Sequence, residues 1–465
     1  MSTSPIAAQA RPPGPSVGSP PTVLWKSYLV FLGPMILSNI LQAISGTVNN
    51  IYLGQMLGVS AMAAVSAFFP VLFFLIAFMI GLGSGAAVLI GQAWGARELG
   101  RVKAIAGTTL TVGLCAGLAV ALFGGTFTEA MLRGLGTPAD ILPGATAYAR
   151  IMLFAAPGVF LFLLSTSMLR GVGDTRTPLL TLLLSTAVGL LVTPSLIRGW
   201  GGLPQMGVAS GAYAAVASYL IALGWLAWYL RRKHHPLAPD AAFIRHLRID
   251  PALLAKVLRI GLPTALSMIT VSIAEIAVLF LVNRFGSQAT AAYGAVNQIV
   301  SYVQFPAISI AITASILGAH AIGAGRPHTL GAIARTGLMM NVVLTGSLVL
   351  LGYLFSRHIV GLFITDPAVV EMAQTLLHIM LWSSVIMGMS MVLSGLMRAS
   401  GVVLVPTVLS MLAIAGIEIP VAWVLSGIYG LNGIWAAYPV AFICMLAMQT
   451  AYYRLVWRKR PIRRL

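Results

Sequence analysis

Two carboxyl groups lie inside segments that are otherwise almost wholly apolar. Glu275 occurs in VSIAEIAVLF and Glu418 occurs in AGIEIPVAW. An acidic side chain in the hydrocarbon of a membrane costs at least ~2.5 kcal/mol, and such residues mark ion or substrate pathways. Glu275 falls between Arg259 and Arg284 at roughly mid-membrane depth, given a rise of about 1.5 Å per residue. We predict that Glu275 takes up a proton or a cation, and that Glu418 is a second candidate closer to the outer surface and to water.

Polar side chains at helical spacing accompany these acids. The first apolar segment carries four of them at intervals of three and four residues, which places them on one helix face: Ser38, Gln42, Ser45 and Asn49. Lipid is a poor partner for such a stripe, so we predict a water-accessible cavity, with hydrogen bonding between helices as the alternative. The predicted cation-coupling residues are Glu275, Ser272, Asn297 and Ser301. The predicted cavity residues are Gln42, Ser45, Asn49, Asn50, Tyr293, Gln298, Gln304, Met387 and Met391.

The elements that position these side chains come from an internal repeat. Residues 25–231 and 254–457 follow one hydrophobic plan at an offset of about 228. For example, Pro34 in LGPMILS recurs as Pro263 in IGLPTALS. Repeats of this kind are typical of transporters, whose binding sites lie where the repeats meet. The repeat counterpart of Glu275 is Gly46, so the two halves are predicted to differ in their chemistry.

The composition requires a membrane environment. With 58% apolar residues, 8% charged residues and a mean hydropathy of +0.94, the chain has too few polar side chains to cover a soluble fold. Apolar segments of about 20 residues or more predict an all-α integral membrane protein with twelve transmembrane helices, six per lobe. The predicted parts are a disordered tail at 1–24, an N-lobe at 25–231, a basic cytoplasmic linker at 232–253, a C-lobe at 254–457 and a basic cytoplasmic tail at 458–465.

The formal net charge of +18 is explained by membrane topology. If both termini are cytoplasmic, most of the 28 Lys and Arg residues fall on the cytoplasmic side of the predicted bundle. The exceptions are Arg133, Arg150, Arg198, Arg284 and Arg357. We therefore expect an inner-membrane protein whose linker is attracted to anionic membrane lipids. Nucleic acid is not an expected partner, and we expect a monomer.

Other kinds of chemistry are not indicated by the sequence. Cys115 and Cys444 both fall in apolar segments, which suggests neither a disulfide framework nor a metal site. No HExxH or similarly spaced group occurs, and no cluster of catalytic residue types argues for a membrane enzyme. We expect no cofactor other than the coupling ion, which is H⁺ or Na⁺.

Several segments resemble those of the multidrug and toxic compound extrusion (MATE) family. They are TVNNIYLGQMLGVSAMAAVSA, GLGSGAAVLIGQAWGA, MLRGVGDTRTPL, GWGGLPQMGVASGAYAAV and IGLPTALSMITVSIAEIAVLF. The stretch AAYGAVNQIVSYVQFPAISIAITASILGAHAIGAG is most similar to the DinF-like branch. The resemblance implies a two-lobe antiporter that exports amphipathic, often cationic compounds by using a sodium or proton gradient. It also matches Glu275 with an acid of the seventh helix that belongs to the cation site in many members.

The chain departs from the family pattern at three places. Asn49 and Asn50 stand where some members have an Asp near the end of the first helix. Residues 189–194 replace an Asn-x-x-x-Asp-Pro pattern in the fifth helix, and the stretch SSVIMGMSMVLSGLM before Arg398 lacks the acid that several members carry in the tenth helix. We therefore predict that acid-based coupling runs through the second lobe.

The predicted function is antiport by alternating access, in which loading of Glu275 and binding of the drug exclude each other. A proton is favoured over sodium, because sodium would need neutral oxygens in place of the missing acids. Flexible methionines and aromatic rings are predicted to form an adaptable wall for bulky cations, with packing as the alternative. These are Met268, Met387, Met391, Tyr293, Tyr302 and Trp382. The alternative functions are a flippase for lipid-linked precursors, which should carry several Arg or Lys in its cavity, and a nontransporting receptor or scaffold.

Overall fold

A computed structural model describes residues 21–465, with side chains from Leu24 onward. Most of the tail predicted at 1–24 lies outside the described residues. The first helix begins at Pro21, so the end of that predicted tail is helical rather than disordered. From residue 21 to residue 465 the chain forms helices joined by loops, without a β-strand. Helices satisfy backbone hydrogen bonds within one segment, which is what a lipid environment requires.

The first half of the chain folds into eight helices. They are α1 (Pro21–Tyr52), α2 (Val59–Gly95), α3 (Leu99–Ala119), α4 (Thr128–Gly134), α5 (Leu142–Phe154), α6 (Ala156–Gly171), α7 (Arg176–Arg198) and α8 (Ala209–Arg232). The helices α5 and α6 form one span with a bend of 56°. Pro157 lies in the first turn of α6 and lacks the N–H that would continue the hydrogen-bond ladder of α5, which explains the break.

The linker and the second half add ten helices. They are α9 (Ala241–Ile244) in the linker, then α10 (Pro251–Asn283), α11 (Ser287–Gly323), α12 (Leu330–Leu354), α13 (Ser356–Gly361), α14 (Pro367–Met380), α15 (Ser383–Ala399), α16 (Leu404–Met411), α17 (Ile419–Tyr429) and α18 (Leu431–Leu455). The helices α14 and α15 form a second bent span, at 43°. A π-helical segment, Leu412–Glu418, joins α16 and α17 into one continuous span.

The described chain has the number of spans that the sequence predicts. Within residues 21–465, ten helices are long and apolar enough to cross a membrane, and the two bent pairs raise the number to twelve. Six spans precede the linker and six follow it. The predicted all-α membrane fold with two six-helix lobes is confirmed. The start of α1, the linker and the segment from Trp457 to Leu465 lie at one end of the bundle, called the basic end below, and the opposite end is the far end.

The two lobes are joined at the basic end. Hydrogen bonds from one lobe to the other lie in the basic half of the bundle or at its middle. Tyr28 donates to the carbonyl oxygen of Ile333 (2.8 Å), and the side-chain amide of Asn39 donates to the hydroxyl of Ser309 (3.1 Å). The far half of α1 instead presents half-exposed and exposed polar residues. We infer that the lobes separate toward the far end and leave a cleft there.

The linker packs on the N-lobe. The side chain of Asp240 accepts a hydrogen bond from the N–H of Phe243 and caps α9. Leu237 and Phe243 are buried in the apolar core of the N-lobe. The hydroxyl of Thr108 on α3 donates to the carbonyl oxygen of Arg248 (3.1 Å). The linker is thus attached to the protein through its apolar residues, and its basic side chains remain largely exposed.

Candidate ion-coupling site

Glu418 lies at an irregular point of its span. It ends the π-helical segment Leu412–Glu418, and Pro420 follows in the first turn of α17. A π-turn inserts an extra residue into the helix and is frequent at functional sites. The side chain of Glu418 is only 3% exposed. The structure therefore turns this carboxyl into the C-lobe.

Glu275 lies on α10 and is more open than Glu418. Residues on an α-helix are separated by about 100°, so Glu275 faces away from the exposed apolar side chains of Ile273 and Phe280. Its own side chain is exposed, whereas the neighbouring Ala274 is buried. The expectation that Glu418 lies closer to water than Glu275 is wrong, because the π-turn directs Glu418 inward.

The two carboxyls belong to one electrostatic cluster. Glu275 and Glu418 act on each other and on the hydroxyls of Tyr293 and Tyr438. The hydroxyls of Tyr293 and Tyr438 share a hydrogen bond of 3.0 Å, and Tyr293 also bonds with the side chain of Asn297. Both tyrosines are buried. Helices α10, α11 and α18 and the π-helical segment between α16 and α17 thus bring two acids, two phenols and an amide together.

This cluster can hold one positive charge. Among the described residues, no Lys, Arg or His interacts electrostatically with Glu275 or Glu418. Two like charges in a low-dielectric site disfavour each other, so the pair is stabilised by a proton or a cation. Residues 21–465 contain no group of three or more His, Cys, Asp or Glu side chains that could hold a metal ion. A cation here would rest on the two carboxyls and on neutral oxygens.

The other predicted coupling residues fall at the edge of the cluster. Asn297 joins it through Tyr293. The hydroxyl of Ser301 donates to the carbonyl oxygen of Asn297 within α11 (2.8 Å). Ser272 is half-buried on α10. Neither serine hydroxyl hydrogen-bonds with a carboxyl in the described structure, so the geometry supports Asn297 more strongly than Ser272 or Ser301.

The predicted cavity residues divide into three groups. On α1, Gln42, Asn49 and Asn50 are exposed and Ser45 is half-exposed, all in the far half of the helix. On α11, Gln298 is exposed, and the amide of Gln304 lies 3.4 Å from the sulfur of Met387 on α15, with Met391 half-buried one turn further along. Tyr293 is the exception. It is 4% exposed, so it belongs to the buried acid cluster and the prediction that it lines the cavity is wrong.

Sequence reasoning missed two aromatic residues of the twelfth span. Tyr438 completes the hydroxyl pair with Tyr293, and Trp435 stacks on the Tyr293 ring with centroids 5.6 Å apart and planes at 7°. The stacking fixes the ring that carries the hydroxyl. The spacing of Trp435 and Tyr438 by three residues would have placed both on one helix face. That signal was available but does not distinguish them from packing residues.

A duplicated twelve-span bundle with a pair of acids within the spans of one lobe defines a membrane transporter built from repeats. Comparison with known proteins shows to which family of transporters the chain belongs. The family model MatE matches residues 34–194 and again residues 263–424, once in each half of the chain. The chain belongs to the MatE family of multidrug efflux transporters and is not an enzyme.

Named relatives extend over almost the full chain. The chain is 45% identical over 449 residues to "Probable multidrug resistance protein YoeA" of Bacillus subtilis (strain 168), covering 96% of this chain and 97% of the relative. It is 24% identical to "Multidrug export protein MepA" of Staphylococcus aureus (strain N315), covering 93% and 94%. A crystal structure of a mutant of the Vibrio cholerae MATE transporter VcmN superposes with a TM-score of 0.87 at 20% identity, covering 95% and 98%. The last likeness supports the fold.

Proposed function

We propose that this transporter exports amphipathic, cationic compounds in exchange for protons, by alternating access of its two lobes. The observation that carries the proposal is the carboxyl pair Glu275 and Glu418, which interact within the C-lobe without a basic partner. A site of this kind has a strong preference for one positive charge. The proton and the cationic drug are the two species that can supply it.

Competition for that charge provides the coupling. Glu418 is buried and Glu275 is open, so an entering cation meets Glu275 first. Binding of the cationic drug supplies the positive charge that the carboxyl pair prefers, so the proton is released. Protonation of the pair, in turn, removes its attraction for the drug. Each loaded form favours one arrangement of the lobes, so the gradient biases the direction of exchange. The N-lobe needs no acid for this cycle.

The choice of H⁺ over Na⁺ rests on the surrounding ligands. Tyr293 and Tyr438 hydrogen-bond with each other, and Asn297 is engaged with Tyr293. The two tyrosine oxygens are therefore partly occupied, whereas sodium prefers several free oxygen ligands. A proton needs only the carboxyls. Sodium coupling is the alternative outcome of the experiment below.

The substrate class is proposed from the cleft-side residues. Met387, Met391 and the amide of Gln304 present polarisable and weakly polar atoms without a charge. Thioether groups adapt to aromatic rings of different shape. Met268 on α10 is half-buried and Trp382 is exposed, which is compatible with a wall that accepts several ligands. Bulky aromatic cations should compete with one another for export, and polar anions should not compete.

We also propose an inner-membrane location with the basic end in the cytoplasm. The linker exposes Ile244, Leu247 and Ile249 beside Arg245 and Arg248. Apolar side chains interleaved with cations suit the headgroup region of an anionic leaflet. Membrane lipids and small amphipathic substrates are the proposed partners of a monomeric transporter.

The test is transport of a fluorescent cation by purified protein in liposomes. In sodium-free buffer, an imposed pH gradient should drive export, and Glu275→Ala should abolish it while membrane insertion and thermal unfolding stay unchanged. Transport that appears only with a sodium gradient would replace the coupling ion. Absence of cation counterflow under both gradients would overturn the drug-antiport proposal and favour the flippase or the scaffold. Normal export by well-folded Glu275→Ala protein would remove Glu275 from the mechanism.

A further inference from the structure

Two hydrogen bonds at the basic end are related by the internal repeat. The side-chain amide of Gln92 on α2 donates to the carbonyl oxygen of Ala399 on α15 (2.7 Å). The Nε2 atom of His320 on α11 lies 2.8 Å from the carbonyl oxygen of Gly171 on α6 and donates to it, because a carbonyl can only accept. An offset of 228 converts Gln92 into His320 and Gly171 into Ala399. The same bond is thus made twice across the lobe boundary, once in each direction.

The backbones beside these bonds are in direct contact. A Cβ atom on Gly95 would collide with the carbonyl of His320, and a Cβ atom on Gly323 would collide with the carbonyl of Gln92. Gly95 and Gly323 are themselves counterparts at the same offset. Because both positions are glycine, α2 and α11 approach closely enough for the side chains at 92 and 320 to reach the opposite lobe.

The segment after α18 makes a further hydrogen bond with the side chain of Gln92. The N–H of Leu465 donates to the side-chain oxygen of Gln92 (2.9 Å), and Arg101 donates to the carbonyl oxygen of Leu465 (2.7 Å). Arg464 forms a bidentate ion pair with Glu98, and its hydrogen bond holds the pKa of that carboxyl below its ordinary value despite partial desolvation. These contacts run from the segment that follows the C-lobe to the N-lobe, and they add to the Gln92 bond.

We propose that Gln92 and His320 form a two-part latch that keeps the basic end of the cleft closed. They are positioning residues, because they set the side to which the acid pair opens and lie at the lobe boundary, away from the acid cluster. Both bonds must break before the lobes can separate at the basic end. This inference goes beyond the proposed coupling site and holds for either coupling ion.

The test measures how often the seam between the lobes opens. Ser309 is fully buried at the seam, where its hydroxyl accepts from Asn39, and Ser309→Cys is a nearly isosteric probe. In a background with Cys115→Ala and Cys444→Ala, a water-soluble maleimide should label this cysteine slowly. His320→Ala should accelerate labelling roughly two- to tenfold, as expected for the loss of one buried hydrogen bond. Gln92→Ala should accelerate it at least as much, because it also removes the bond from the Leu465 N–H. The double variant should accelerate it further.

Two controls separate a latch from general loosening. His320→Gln should restore slow labelling, since position 92 shows that Gln makes this bond. Gln449→Ala removes a similar buried bond, from the Gln449 amide to the Pro406 carbonyl oxygen (2.8 Å), but within the C-lobe. It should lower thermal stability without changing seam labelling. If the alanine variants fold poorly, Gln92→Asn, which is one methylene too short, serves instead. Unchanged labelling in the latch variants, or equal acceleration by Gln449→Ala, would overturn the proposal.

Discussion

The two lobes share one helical frame, but they differ at the positions that carry charge. The N-lobe counterparts of Glu275, Tyr293, Asn297 and Glu418 are Gly46, Val65, Phe69 and Leu190. The seam at the basic end shows the opposite behaviour, because Gln92 and His320 make equivalent bonds from both sides. The repeat therefore supplies the helical architecture and the paired hydrogen bonds that close the basic end. A few substitutions in one lobe supply the acid site. The two lobes are thus alike in fold, but the acid site lies in only one of them.

The largest expected effect concerns the second acid. Glu418 is buried and interacts electrostatically with Glu275. Glu418→Gln should therefore abolish gradient-driven export as fully as Glu275→Gln does. Initial rates of cation export in liposomes under a pH gradient measure this. Glu371→Gln, at an exposed position near the start of α14, is the matched control and should export normally. Export by Glu418→Gln close to the wild-type rate would mean that Glu275 acts alone.

A smaller effect is expected from the phenol pair. Tyr438→Phe removes the hydroxyl that bonds with Tyr293 and should lower the export rate roughly three- to tenfold, as expected for a single buried hydrogen bond. Tyr52→Phe is the N-lobe control, because its hydroxyl donates only to the backbone carbonyl of Leu190 (3.3 Å). Equal losses in both variants would show that the C-lobe hydroxyls have no special role.

The cleft wall should affect affinity more than rate. Met387→Ala removes the sulfur that contacts Gln304 and should raise the half-saturating concentration of a bulky aromatic cation roughly threefold. Concentration series of export at fixed pH gradient report this value. Met339→Ala, at an exposed position of α12, should leave it unchanged. A loss of rate without a change in half-saturation would argue against a contact with the substrate.

The smallest effect is expected outside the membrane-spanning segments. Burial raises the pKa of Asp174, but hydrogen bonds from His235 and Thr177 outweigh it and hold the pKa below its ordinary value. A lowered folded-state pKa stabilises the protein above the unfolded value of about 3.9, and this stabilisation is lost as the pH falls through the folded-state pKa. Asp174→Asn should therefore lower the free energy of unfolding at pH 7 by about 1 kcal/mol. The difference from wild type should shrink as the pH falls below about 4, and a constant difference would contradict this origin.

The sequence predicts the frame of this protein well because hydropathy and the repeat depend on many residues. The twelve spans, the two lobes and the acid at position 275 all follow from those signals. The depth of Glu418 could not be predicted by counting residues, because the π-turn at Leu412–Glu418 changes the direction of the side chain. Tyr438 carries no charge and looks like a packing residue in the sequence. The latch was not visible either, because Gln92 and His320 bond with backbone carbonyls that leave no pattern in residue types.

Proton release on drug binding tests the central claim most directly. Purified transporter in weakly buffered, sodium-free solution is mixed with an aromatic cation near neutral pH, and the change in pH is recorded. The carboxyl pair predicts that binding expels a proton from the wild-type protein and that no proton is released when Glu275→Gln and Glu418→Gln are combined. Proton release that persists in the double variant would contradict the account.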